Sequence, residues 1–340
     1  MVFKNELALS GDFLPDSLPG REGELNEMVF ALQPAFEGRK ARNLFLFGPP
    51  GTGKTSCVKK VFSGLNEESQ RTKAVFINCW QNPTRNSVLA RIAESIGEPL
   101  PRRGLGTDEV LERITQSFQM QKASCVMALD ECDRLLHNRE DAVVYDLLRG
   151  SFVSAIICIT NDRGFLGKID ERISSSLQPS ILEFARYSPV ALKKILSERA
   201  RIAFRPDACT EETVALVAAY ASKLGGDARI AIEALWRCGK NAEARGSQKI
   251  EKRDFEKLKE NPSVQKRLQG LGGTEEKIIS VLKQNGGAAT SGAVYRALEA
   301  EGLTERTLRN YLQLLESKKI ISIERVQLKE GWTSRISLLL

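Results

Sequence analysis

An α/β domain on a mostly parallel sheet, then a small all-helical unit, then a terminal domain of helices and a β-hairpin, is the architecture this sequence predicts. Three observations carry it. The first half alternates short β-rich apolar runs with amphipathic helical stretches, the pattern of a sheet flanked by crossover helices. From about Ser188 the β-runs stop and helical periodicity takes over. Beyond a stretch at 261–274 that mixes breakers with basic residues, the pattern changes again to three helices and two β-runs.

Length and composition suit this. At 340 residues, about one domain per 100–200 residues gives two or three domains. The chain is 42% hydrophobic and 27% charged, ordinary for a folded protein. No apolar run approaches the roughly 18 residues needed to span a bilayer. The N-terminus lacks the basic flank and apolar core of a signal peptide, so a cytoplasmic protein with no membrane partner is expected. Seven cysteines form no C-x-x-C pair, which points to a reducing compartment without a disulfide or zinc framework. His137 is the single histidine and leaves no partner for a His-based metal site or a Ser-His-Asp triad. A net charge of +7 and a pI near 9.0 favour a polyanionic partner.

In order along the chain, strands are expected at Asn43–Phe47, Ala74–Cys79, Cys125–Leu129, Ala155–Thr160 and Ile181–Phe184. The helical unit spans Val190–Ala203, Glu211–Leu224 and Asp227–Arg245, with Gly225 and Gly226 between the last two. The terminal domain reads as helices Glu275–Gln284, Ser291–Glu301 and Glu305–Lys318, then β-runs Ile320–Leu328 and Thr333–Leu339 joined around Gly331. In its third helix Leu308, Tyr311, Leu312 and Leu315 fall at i, i+3, i+4 and i+7, while Arg306, Arg309, Asn310 and Gln313 take the other face. The expected bounds are 1–188, 189–262, a linker at 263–274, and 275–340.

The chemistry begins at Gly48-Pro-Pro-Gly-Thr-Gly-Lys54-Thr55, which follows an apolar strand and precedes a helical stretch, as the P-loop pattern requires. Its glycines let backbone N–H groups curl around phosphate oxygens, and the helix N-terminus adds its positive dipole end. Lys54 would reach the β/γ-phosphates and Thr55 would ligate Mg²⁺. Gly48, Pro49, Pro50, Gly51, Thr52, Gly53, Lys54, Thr55 and Ser56 are therefore the candidate ATP/ADP contacts. Cys125-Val-Met-Ala-Leu-Asp130-Glu131 is an apolar strand ending in two carboxylates: Asp130 for the Mg²⁺ shell, Glu131 to polarise the attacking water. Alone such a pair reads as a solvated strand end; beside a P-loop it reads as catalytic.

Asn161, at the tip of the next strand, would orient that water from the opposite side, although Asn161-Asp162 by itself is also a turn or cap pair. Arg172 and Arg229 lie in short polar segments that could equally carry surface cations. Asp227, after two glycines, makes a good N-cap and sets Arg229 in the first turn of a helix.

The P-loop, Leu-Asp-Glu, Thr-Asn-Asp, Asp170-Glu-Arg-Ile-Ser-Ser-Ser-Leu177 and Gly226-Asp-Ala-Arg229 blocks, in this order and ahead of a terminal winged helix, resemble the archaeal replication initiators. That family is similar to the largest origin recognition complex subunit and to the cell division control loader of eukaryotes. Leu18-Pro-Gly-Arg-Glu-Gly-Glu-Leu25 and Asn78-Cys-Trp-Gln, with Thr84 and Val88-Leu-Ala-Arg-Ile-Ala93 following, narrow the likeness from AAA+ ATPases in general. It covers nearly the whole chain.

The resemblance implies an AAA+ base domain, a helical lid and a winged-helix domain, with ATP between base and lid and slow hydrolysis acting as a switch. By motif, Asn161 becomes sensor 1, Arg229 sensor 2 and Arg172 the finger presented to a neighbouring protomer, with Arg21 near the adenine. Origin duplex DNA, the replicative helicase and other initiator protomers become the expected partners, and the chromosome the place of action. The third terminal helix would enter the major groove with Arg306, Arg309 and Asn310. The basic loop Pro101-Arg102-Arg103-Gly104-Leu105-Gly106 matches the position of the family's initiator-specific insertion, which touches DNA from the ATPase side. The sequence departs from the family at a shortened segment between Glu301 and Leu303. It also departs at the wing, Lys329-Glu-Gly-Trp-Thr-Ser-Arg335, where a more basic tip is usual; Trp332 either meets sugar or covers the hairpin, and Arg335 is the wing's candidate contact. Two other readings share these parts: a clamp-loader-like remodelling ATPase, and a paralogue acting as a DNA-binding regulator.

Overall fold

The computed structural model describes residues 1–98, 106–260, 273–299, 305–317, 320–328 and 331–339. The chain forms two units, Asp12–Tyr187 and Met1–Gly11 with Ser188–Leu340.

Among its described residues the first unit carries five strands: β1 (Leu44–Phe47), β2 (Thr72–Asn78), β3 (Ser124–Asp130), β4 (Val153–Thr160) and β5 (Ser180–Glu183). They pair in parallel in the order β2-β3-β4-β1-β5. Every residue of β1 and β4 is buried, because helices cover both faces of the sheet; hence the unbroken apolar runs in the sequence. Side chains alternate between two cores. Phe45, Phe47, Met127, Leu129, Ile156 and Cys158 face one, whereas Leu44, Leu46, Val126, Ala128, Ile157 and Ile159 face the other.

Among the described residues of this unit the α-helices are α1 (Glu22–Phe36), α2 (Lys54–Glu68), α3 (Arg85–Ser95), α4 (Thr107–Met120), α5 (Asp133–His137), α6 (Ala142–Arg149) and α7 (Glu171–Leu177). Met28 and Leu32 of α1 and Val58, Phe62 and Leu65 of α2 cover the second face. Residues of α3, α4, α6 and α7, among them Leu89, Phe118, Leu147 and Ile173, cover the first. A parallel sheet brings all strand C-termini to one edge, and the loops after β1, β3 and β4 meet there.

The second unit begins with α8 (Pro189–Ala203), α9 (Glu211–Lys223), α10 (Ala228–Ala244) and α11 (Lys252–Glu260). Side chains of Ser188, Thr210 and Asp227 cap the first three. The expected base domain, 1–188, differs at its start, because Met1–Gly11 belongs with these helices. Val2 is fully buried, the Phe3 ring lies 5.1 Å from that of Phe204, and the Lys4 amide donates to Ala203 O at 2.7 Å. Glu6 accepts from Trp236 Nε1 and Lys240 Nζ, both at 2.7 Å, and Arg199 Nη1 donates to Ala8 O at 2.8 Å.

The terminal residues form α12 (Gly273–Gln284), β6 (Ala288–Thr290), α13 (Ser291–Leu298), α14 (Glu305–Ser317), β7 (Ile321–Leu328) and β8 (Gly331–Leu338), with the antiparallel order β6-β8-β7. This is the helix, strand, helix, helix, hairpin order of a winged helix. Leu308, Leu312 and Leu315 of α14 are buried with Ile278, Leu282, Val294 and Ile336. The expected linker at 263–274 and the shortened segment near Glu301 lie largely outside the described residues. Strand β6 is an element the sequence reading lacks; three small residues, Ala288, Ala289 and Thr290, carry no alternation long enough to read.

Candidate functional site

The loop after β1 needs glycine for steric reasons. Gly48 has φ +150°, and a Cβ there would stand 2.3 Å from the Phe184 carbonyl oxygen. Gly53 has φ +90°, and a Cβ there would stand 2.4 Å from the Tyr187 hydroxyl. Gly51 has φ +70°. These conformations cost an L side chain dearly, so the loop curls and α2 starts immediately at Lys54.

Three strand tips converge on that helix start. Lys54 is buried, and its Nζ donates to Gly48 O at 2.7 Å, Pro49 O at 2.9 Å and Asn161 Oδ1 at 2.9 Å. Thr55 Oγ1 donates to Asp130 Oδ2 at 3.0 Å. Burial pushes the Asp130 carboxyl above its ordinary range, while the Thr55 hydroxyl bond and the Lys54 charge pull it back. Glu131 follows at φ +56°, a left-handed conformation that costs a non-glycine residue about 1–3 kcal/mol and is concentrated at functional sites. The adjacent carboxylates differ in burial: Asp130, bonded to Thr55, is buried, whereas Glu131 is half-buried.

Arg21 is placed differently from a residue presented to a ligand. It is 5% exposed; Nε donates to Thr52 O at 2.7 Å, and its two terminal nitrogens bond Glu24 and Ala185 O. Its guanidinium carbon lies 4.2 Å from the Tyr187 ring centroid. Arg21 therefore ties the phosphate loop, at Thr52, to the segment after β5. Tyr187, whose hydroxyl burial pushes up to about 12, completes this support. Sequence reasoning missed Tyr187, since nothing in the run after β5 marks it.

Arg172 sits in the first turn of α7 and is 80% exposed; Arg229 sits in the first turn of α10, in the other unit, and is 64% exposed. Arg309 and Asn310 are exposed on α14, opposite its buried leucines, and Arg335 is exposed on β8. The side chains of Arg306 and Trp332, and the whole of Arg102 and Arg103, lie outside the described residues.

The oxygen donors at Thr55 and Asp130, beside a buried ammonium and a loop that needs glycine at positions 48, 51 and 53, suit a nucleoside triphosphate with a hard divalent cation. Among the described residues no helix is long and apolar enough to cross a membrane.

Comparison with known proteins agrees with this geometry. A model of the Cdc6 AAA+ ATPase-type lid domain matches residues 193–260, and one of the AAA domain matches residues 38–162. The chain is 32% identical over 353 residues to the ORC1-type DNA replication protein of Pyrococcus abyssi, covering 96% of this chain and 84% of that protein. It is 34% identical over 267 residues to ORC1-type DNA replication protein 2 of Methanosarcina acetivorans, covering 76% of this chain and 71% of that protein. The structure of the Aeropyrum pernix ORC1 protein in complex with DNA superimposes with a TM-score of 0.75 at 28% identity, covering 99% of this chain and 94% of that one.

Proposed function

The chain belongs to the ORC1-type family of AAA+ ATPases that carry a Cdc6-type lid, and from that premise we propose that it is an ATP-dependent initiator of DNA replication. It binds origin duplex DNA, helps load the replicative helicase, and uses ATP binding and slow hydrolysis as a switch. The observation that carries the ATP part is the pairing, at the start of α2, of Lys54 with Asn161 and of Thr55 with Asp130.

Each side chain has a definable task. Lys54 exchanges its carbonyl partners for β/γ-phosphate oxygens, and the backbone N–H groups of residues 51–55 cradle the phosphates. Thr55 and Asp130 would hold Mg²⁺, which when bound neutralises charge on the phosphate oxygens. Glu131 aligns the attacking water and accepts its proton, while Asn161 fixes that water and Lys54 from the other side. Arg229 acts on the nucleotide of its own chain and Arg172 on that of a neighbouring protomer. Arg21 ties the phosphate loop at Thr52 and would lie near the adenine.

DNA binding is supported by the net charge of +7, by the polar face of α14 and by the DNA complex of the Aeropyrum pernix relative. The helicase role is supported by family membership. A salt titration on origin and scrambled duplexes tests the DNA part. Each lost phosphate contact flattens the dependence of log affinity on log salt by roughly 0.9. Arg102→Ala/Arg103→Ala is expected to weaken all duplexes alike, and Arg306→Ala/Arg309→Ala to narrow the origin preference as well, by about 1–3 kcal/mol. Unchanged affinity and slope in the second variant would make α14 a protein-binding surface instead.

A further inference from the structure

Six helices among the described residues have an N-cap side chain bonded to the helix. Four of the caps are Thr84, Ser188, Thr210 and Thr290, each accepting from the amide three residues on. The other two are aspartates, Asp170 and Asp227, each accepting instead from the amide two residues on. Those amides belong to Arg172 and Arg229.

The two sites match in detail. Asp170 Oδ1 accepts from the Arg172 amide at 2.8 Å and from its Nε at 3.2 Å, and Oδ2 accepts from Nη2 at 3.2 Å. Asp227 Oδ1 accepts from the Arg229 amide at 2.8 Å and from its Nε at 3.4 Å, and Oδ2 accepts from Nη2 at 3.1 Å. Capping alone does not ask for a carboxylate, since Ser, Thr and Asn cap as well. What a carboxylate adds is a planar, two-point grip on the Nε/Nη2 edge of the guanidinium. That grip spends two of five donors and leaves the Nη1/Nη2 edge open, the edge a phosphate takes bidentately.

We propose that Asp170 and Asp227 are positioning residues that hold Arg172 and Arg229 by one edge and leave the Nη1/Nη2 edge available to nucleotide phosphate. An exposed arginine otherwise samples many rotamers, and a misplacement of an ångström weakens transition-state stabilisation far more than ground-state binding. The proposal rests on the reading that these two arginines contact nucleotide.

The test uses the full chain with Asp170→Asn and Asp227→Asn, which keep the cap and remove the charged grip, and with Asp170→Ser and Asp227→Ser as second variants, copying the cap at Ser188. Arg172→Ala and Arg229→Ala run in parallel. For each Asp variant the single-turnover hydrolysis rate is expected to fall by about 10- to 10²-fold, with ATP affinity within roughly 2-fold of wild type. For Asp170→Asn the rate should recover on mixing with Lys54→Ala protein, which supplies an intact Arg172; a defect that unfolds the chain or damages its own nucleotide site would not recover. If the Arg variants lose hydrolysis while all Asp variants keep or exceed the wild-type rate, the positioning role is overturned and the arginine assignments stand. If the Arg variants themselves hydrolyse at the wild-type rate, the arginine assignments fail and the positioning role falls with them.

Discussion

Lys54 donates to Gly48 and Pro49 of the phosphate loop and to Asn161, whereas Glu131 sits on a strained turn after β3, so the two residues fail differently when changed. Lys54→Ala removes ground-state contacts of about 1.5–3 kcal/mol, so nucleotide affinity should drop by roughly 10–10²-fold, as read by a binding titration. Glu131→Gln keeps the shape and loses the base. Affinity should hold while single-turnover hydrolysis slows by about 10²–10⁴-fold, and a wild-type rate would remove Glu131 as the base. Both residues are legible in the sequence because their motifs are contiguous and their strand context is strong. Arg21 is legible only as part of a block: its partners Thr52 and Ala185 lie 31 and 164 residues away, and no spacing rule reports such a clamp.

Among elements, the parallel strands are readable because burial on both faces leaves an unbroken apolar run, and α14 is readable from its leucine period. The N-terminal segment is not. Val2 and Phe3 are two apolar residues without periodicity, and their partner Phe204 lies far along the chain, so nothing local separates them from the base domain. The fit is tight at Gly239, where a Cβ would come 2.4 Å from Phe3 Cζ and 2.9 Å from Phe204 Cε1. Gly239→Ala should therefore displace the segment or spread the helices, costing about 1–3 kcal/mol in urea unfolding of the full chain. Wild-type stability in this variant would mean that the segment contributes little to the helical unit.

For the whole molecule, the chain leaves one unit at Gly11, builds the sheet unit, and returns at Ser188, so the arginine of α10 and the phosphate loop lie in different units. The order of domains is readable from shifts in composition, but assembly is not, because exposed residues such as Arg172 look alike whether they meet water or a neighbour. Arg172 is expected to act on a neighbour's nucleotide. Arg172→Ala and Lys54→Ala proteins, each inactive alone, should recover hydrolysis when mixed; no recovery where assembly is demonstrated would count against a finger role.

Nucleotide-controlled recognition of a replication origin can be read in a chromosome-wide footprint of the wild-type protein and of Lys54→Ala, with and without ATP. Protection is expected to concentrate at a replication origin, to change with ATP for wild type and to be indifferent to ATP for Lys54→Ala. Protection spread over promoters, or identical in all four conditions, would contradict it.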